Sequence, residues 1–260
     1  MRCFPDLGLA LAVGVCAALT ACGSSNIHEP SLTADAQLQV AEAADASGDS
    51  ELAISKYSAA AASEPSNIGL QLRCADALAR YGKITQARQL LTERLRTNHD
   101  QPDLIRALAL VDLVAGAPTR AIAQFDQILA VNPADTRTLA DKAVALDLQG
   151  QHPEAQAIYR QVLAARPNDP AVRNNLAISM MLEGHIHQAL QTFAPMQDAE
   201  TSPPRLKVNL GVLFAATGDL EHSRQLLGDR ASDADLSALT QVLKSSAGGG
   251  RDTTNSATDQ

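Results

Sequence analysis

Apolar and polar positions along this chain repeat with a period of 34 residues. One column of small residues holds Ala41, Ala75, Ala109, Ala143, Ala177 and Gly211, and a second holds Ala53, Ala87, Ala121, Ala155, Ala189 and Ser223. A column of large residues follows at Tyr57, Leu91, Phe125, Tyr159, Phe193 and Leu227. Between the two small columns stands Gly48, then Gly82, Gly116, Gly150, Gly184 and Gly218, each 34 residues from the last. A glycine between two apolar-periodic stretches predicts two helices per unit, the first ending in a left-handed turn that strains other residues. Asp49 and Asp219 are candidate N-caps for second helices, and Asp169-Pro170 reads as an N-cap followed by proline in the first turn. Pro65, Pro133 and Pro167 close three of the units, which run 34–67, 68–101, 102–135, 136–169, 170–203 and 204–237.

These columns resemble the tetratricopeptide repeat: small at positions 8 and 20, Gly at 15, large at 24, Pro at 32. The resemblance implies an all-α fold, an α-α superhelix of six repeats in which helices A and B of each repeat approach through their small residues. The usual Trp of position 4 is absent; Gln37, Gln71, Ile105, Leu139, Arg173 and Lys207 stand there, and looser packing between repeats is expected. A solenoid has open ends. Asp233 to Lys244, with Leu236, Leu239, Val242 and Leu243 on one face, reads as a C-terminal capping helix, and the Gly-rich, polar stretch 245–260 as a disordered tail.

The N-terminus carries a different pattern. Leu7 to Leu19 is an apolar run of 13 residues after Arg2. A spanning helix needs about 20, so the run fits a secretory signal peptide. It ends in Leu19-Thr20-Ala21-Cys22, followed by Gly23. This resembles the bacterial lipobox, which implies cleavage after residue 21, lipidation of Cys22 and a tether over 22–33. Asp6 makes the start less basic than such peptides usually are, and an ordinary signal peptide with a coincidental Cys is the alternative. Gly23 in place of Asp leans towards the outer membrane, facing the periplasm. Cys3 and Cys16 would leave with the signal, so Cys74 remains as a free thiol on an apolar helix face, a small buried hydrophobe.

Composition narrows the function classes. The net charge is −8 without a basic run, which disfavours a nucleic-acid partner. No nucleophile elbow, phosphate-cradling loop or ligand-spaced His/Cys set appears, so neither a catalytic residue, a metal, a cofactor nor a small-molecule substrate is expected. His185 and His187 fall at positions 16 and 18, in the turn between helices, which suits a solvated turn.

Binding remains. The repeat resemblance implies that helix A positions 2, 5, 6, 9 and 12 line a concave groove. Repeats 4 to 6 place Arg137, Asn174, Asn175, Arg205 and Asn209 there, donors suited to a peptide backbone or carboxylate. Ordinary polar residues on a wet face are the alternative. Leu110, Leu113, Ile178, Met181 and Val212 offer apolar contacts, whereas Asp35, Glu42, Asp45 and Asp76 mark an acidic end.

The segment Val172-Arg173-Asn174-Asn175-Leu176-Ala177, through Lys207-Val208-Asn209-Leu210-Gly211 to Gly218-Asp219, resembles the TadD-type lipoproteins of Tad/Flp pilus assembly. That resemblance implies a non-enzymatic, membrane-anchored scaffold whose partners are proteins or peptide segments of a pilus or secretion complex, the outer-membrane secretin being one candidate. Type IV pilus pilotins and adaptors that dock cell-wall enzymes are the alternatives.

Overall fold

The computed structural model describes residues 32–193 and 204–228, with single positions between 232 and 241. The signal segment, Cys22, most of the tether, the apolar face of the C-terminal helix (Leu236, Leu239, Val242 and Leu243) and the tail lie outside the described residues. Among those described there are twelve helices and no strand. They form pairs: α1 (Ala34–Ser47) with α2 (Ser50–Ser63), α3 (Ile68–Arg80) with α4 (Ile84–Thr97), and α5 (Pro102–Val114) with α6 (Pro118–Val131). The series continues with α7 (Thr136–Leu148) and α8 (His152–Ala165), α9 (Pro170–Leu182) and α10 (Ile186–Phe193), and α11 (Pro204–Thr217) and α12 (Leu220–Leu227). Each helix packs on its sequence neighbours, and the first helices of adjacent pairs also touch, so the pairs stack as a solenoid. Among the described residues no helix is long and apolar enough to cross a membrane.

Local chemistry sets the boundaries. All six periodic glycines have φ between +71° and +88°. No heavy atom lies within 4 Å of a Cβ built on Gly48, Gly82, Gly116, Gly150 or Gly218. There the backbone dihedral, and not space, demands glycine. The N–H after the glycine reaches back to the last turn, as from Lys83 to the Leu78 carbonyl at 2.7 Å and from His185 to that of Met180 at 2.8 Å. Asp49, Asp169 and Asp219 cap the following helices by accepting from Leu52, Val172 and His222 amides, and Thr33, Asn67 and Asp135 do the same elsewhere. Helices α5 and α6 lack a capping side chain and begin instead with Pro102 and Pro118, which have no N–H to satisfy.

The columns become the seams. The alanines at positions 8 and 20 are all buried, as are the six large residues from Tyr57 to Leu227. In the last pair the volumes are exchanged. Gly211 replaces alanine, and Leu227 fills the vacated room so closely that a Cβ on Gly211 would stand 2.6 Å from the leucine Cγ. The buried apolar side chains group into one large cluster over the first pairs and another over the last three, bridged by a small one around Ala109, Ala121, Phe125 and Ala145.

The expected loosening at position 4 is not what these residues produce. Ile105 and Leu139 are buried. Gln71, only 2 % exposed, donates its amide to the Ala61 carbonyl at 2.7 Å, and Gln37 donates to Leu32 at 2.8 Å. Arg173 reaches the Pro167 carbonyl at 2.6 Å. Where a tryptophan would fill the gap, these side chains bond main-chain carbonyls just upstream, that of Ala61 being one that the end of α2 leaves unpaired.

Candidate functional site

The first helices α3, α5, α7, α9 and α11 lie side by side, and between α3, α5 and α7 the expected positions 2, 5, 6, 9 and 12 face one another, joined by position 13. Between α3, α5 and α7 that face hollows into a cavity of about 610 Å³. Leu72, Ala107 and Leu110 supply its apolar wall, with Arg73, Arg80, Arg106 and Arg137 around it.

Three of the five groove candidates come together further along. Asn209 on α11 donates its amide to Asn174 on α9 at 2.8 Å, and Asn174 donates to Asn175 at 3.2 Å. Asn174 is buried and spends its polar atoms inside this chain of amides. Asn175 Nδ2 and Asn209 Oδ1, at the two ends, bond no described residue. One donor and one acceptor are thus left unengaged among the described residues, the two kinds of group a peptide unit would pair with. Arg205 is exposed in the first turn of α11, and Arg137 is exposed in the first turn of α7, two pairs earlier, where it borders the cavity. Neither forms an ion pair among the described residues. Leu110, Leu113, Ile178, Met181 and Val212 are half-buried.

Three of the four acids at the acidic end, Glu42, Asp45 and Asp76, are compensated from within. Glu42 pairs with Arg73 at 2.5 Å, and Arg80 pairs with Asp45 at 2.8 Å and Asp76 at 2.9 Å. Tyr81 and Tyr57 also donate to Asp45. The Tyr81 hydroxyl above all, with Arg80, holds the Asp45 carboxyl below the usual carboxylate range against the opposing effect of desolvation.

Two further polar clusters are absent from the sequence expectations. Asp112, buried on α5, receives Arg88 from α4 at 2.7 Å and Arg120 and Gln124 from α6 at 3.1 and 3.2 Å. Asp147 on α7 receives Tyr159 at 3.0 Å, Ser179 at 2.6 Å and the His152 ring at 2.9 Å, joining α7, α8 and α9. The second cluster contains Ser, His and Asp, yet Ser179 bonds the carboxylate and not the imidazole, so the serine–histidine bond of a nucleophilic triad is missing from it. Both clusters tie helices together. The recurrence of Tyr at position 24 with Asp at position 12, in repeats 1 and 4, is the signal that could have revealed the Tyr–Asp part.

His185 does lie in the turn, 3.4 Å from Glu183, but His187 belongs to the first turn of α10, where the helix starts earlier than the turn reading supposed. Cys74 is buried beside Ser58, and burial pushes its thiol pKa up.

Comparison with known proteins agrees with this geometry. A curated relative, the cellulose synthase 2 operon protein C of Komagataeibacter xylinus, is 37 % identical over 90 residues. That match takes in 35 % of this chain and 7 % of the relative. Among solved structures, a tetratricopeptide repeat protein from Parabacteroides merdae superposes with a TM-score of 0.67 at 17 % identity, covering 83 % of this chain and 86 % of the other. PilW, a type IV pilus biogenesis factor, gives 0.61 at 21 % identity over 81 % and 98 %, and PilF of Pseudomonas aeruginosa 0.58 at 15 % over 82 % and 96 %. These likenesses are of fold. The tetratricopeptide repeat family model matches residues 45–111 and 113–178, half of the sequence, and the chain belongs to that family.

Proposed function

We propose that this protein is a non-enzymatic scaffold, anchored to the membrane through Cys22, that holds a protein segment in its inner groove during assembly of a Tad/Flp-type pilus or secretion machine. The observation that carries the binding half of this reading is the amide chain Asn209–Asn174–Asn175, which spends its middle member internally and leaves a donor and an acceptor open. Arg205 adds a cation able to take a carboxylate. The pilus half rests on the TadD-type resemblance of the last two repeats and on the fold neighbour PilW, a type IV pilus biogenesis factor. The outer-membrane secretin is a candidate partner in this reading. The operon name of the curated relative favours a broader second reading, an adaptor for an envelope machine of another kind.

The test is capture of the partner by the wild-type chain, followed by affinity measurement with Asn175→Ala/Arg205→Ala. A charge-assisted bond contributes about 1.5–3 kcal/mol and a neutral one about 0.5–1.5. The double variant should therefore bind roughly 30- to 1000-fold more weakly, with helicity unchanged. Unaltered affinity would move the interface off this groove. For the anchor, Cys22→Ser should release the protein from membranes, and a mature N-terminus other than a modified Cys22 would refute it.

A further inference from the structure

The first helices run side by side, and each is joined to its second helix by a short turn, so every glycine turn lies on one edge of the solenoid and every connection between pairs on the other. Neighbouring glycine turns are stitched together, Gln149 to Thr119 at 2.8 Å and Gln156 to Glu183 at 2.7 Å. The two edges differ in charge. Each described connection between pairs carries some: Glu64, Asp100, Asp135, and Arg166 with Asp169. On the glycine edge charge gathers towards the ends, at Asp49, Glu51 and Lys83 on one side and Glu183, Asp219 and Glu221 on the other, whereas 113–119 and 148–151 contain none. Arg120 and His152, which follow those two stretches, are turned to Asp112 and Asp147. Val114, Leu148 and Leu182, the same position in three successive repeats, end their helices on this edge and are 65 %, 61 % and 56 % exposed. Leu52, in the first turn of α2, adds a fourth, so four of the six large apolar side chains exposed among the described residues share this edge.

Aliphatic side chains roughly 10 Å apart, the spacing of packed helices, with uncharged turns between them make an ordered patch and not scattered exposure. We infer that the glycine edge of repeats 3 to 5 seats on a phospholipid surface, with Val114, Leu148 and Leu182 entering the headgroup layer and the first helices standing on their C-terminal ends. This rests on the reading of the chain as membrane-anchored through Cys22 and adds which face the anchored chain turns to the lipid. Three aliphatic residues bind a bilayer weakly by themselves, but an anchored chain meets the surface at high effective concentration. The anchor permits the pose: the twelve residue steps from Cys22 to Ala34 reach at most about 40 Å, and the row begins two helix pairs, roughly 20 Å, beyond α1. The charges favour a zwitterionic lipid, because acids stand at both ends of the edge and an anionic bilayer would repel them.

The experiment places the full chain, purified from membranes with Cys74→Ala so that an introduced thiol is the one labelled, in phosphatidylcholine vesicles. An environment-sensitive NBD fluorophore is attached through Leu148→Cys on the glycine edge or through Asn132→Cys on the opposite edge, both exposed positions, with helicity checked for each. At position 148 the emission should shift to the blue and lose at least about half its intensity to a lipid carrying a nitroxide just below the headgroup. At position 132 it should stay that of a probe in water. Val114→Gln/Leu182→Gln should remove most of the quenching at position 148. Water-like emission at both positions overturns the inference. So does a blue shift without lipid quenching, which would mean that a second copy of the chain covers the row, and so does quenching that appears only with anionic lipid, which would mean attraction by charge. If the chain fails to float with the vesicles, the anchor reading falls and this inference with it; if it floats and position 148 is wet, the anchor stands and only the seating falls.

Discussion

Tyr159 donates its hydroxyl to Asp147 at 3.0 Å, and Tyr57, three repeats earlier, points at Asp45 from 3.5 Å. The two tyrosines hold the same column and their acids the same position, so one device is used twice, tight in repeat 4 and loose in repeat 1. A bond to a carboxylate contributes about 1.5–3 kcal/mol when well formed. Tyr159→Phe should therefore lower unfolding stability by about 1–3 kcal/mol and Tyr57→Phe by less than about 1 kcal/mol, Asp45 keeping Tyr81 and Arg80. Urea titration of both variants checks this; equal losses would contradict the geometric difference.

The seams between paired helices should resist enlargement. Ala143 and Ala155 face one another's helices with no exposed surface. Overpacking a core costs about 1–3 kcal/mol or more, so Ala143→Trp or Ala155→Trp should lower the melting temperature. Gly211→Ala should also be unfavourable, because Leu227 occupies the methyl's place, although alanine regains up to about 1 kcal/mol of helix propensity. Adding Leu227→Val to Gly211→Ala should make the glycine substitution less costly than it is alone, as read by a double-mutant cycle in thermal unfolding.

Acid should be felt at Asp45. Its folded-state pKa lies below the ordinary value of 3.8. The folded state thus favours the ionised form, and the contribution is complete above that value and fades as pH falls through the depressed one. Asp45→Asn should be less stable than wild type at neutral pH, with the gap closing as pH drops below about 4. A gap that stays constant down to pH 2 would remove Asp45 from the acid response.

Cys74 should report unfolding. The thiol is buried and its pKa raised by that burial, so its reactive thiolate is scarce and inaccessible. With Cys3, Cys16 and Cys22 replaced by serine, alkylation by iodoacetamide should be slow in the native state. It should accelerate along the same denaturant curve as the loss of helicity. Fast native labelling would show that α3 opens locally.

The features that a single residue determines were the ones readable from the chain. Gly48 and its five equivalents announce a left-handed turn because only glycine accepts that dihedral cheaply, and Phe125 or Leu91 announce a buried slot by their volume. Asp112 and Asp147 were not readable, because their meaning lies in partners on three different helices and depends on stacking geometry. The groove stands between these cases. Family positions pick out Arg137, Asn174, Asn175, Arg205 and Asn209, but only the packed helices show that the asparagines bond one another and that Arg137 belongs to a separate cavity. The acidity of the first repeat is answered in part for the same reason: Arg73 and Arg80, a repeat away, arrive opposite Glu42 and Asp45.

The Asp112 cluster fastens α4, α5 and α6, and the Asp147 cluster fastens α7, α8 and α9. Between these two rivets α6 and α7 share the small apolar cluster around Ala109, Ala121, Phe125 and Ala145, Ile122 and Leu129 pack against the cluster of the last three pairs, and Lys142–Asp126, Gln149–Thr119 and Arg106–Asp141 add polar links. Under tension applied along the stack, load passes from one half to the other through these α6–α7 contacts and the α5–α7 ion pair. The protein is in that sense a continuous spring, in which a pull on one half reaches the inner face of the other through the α6–α7 packing and the Arg106–Asp141 pair.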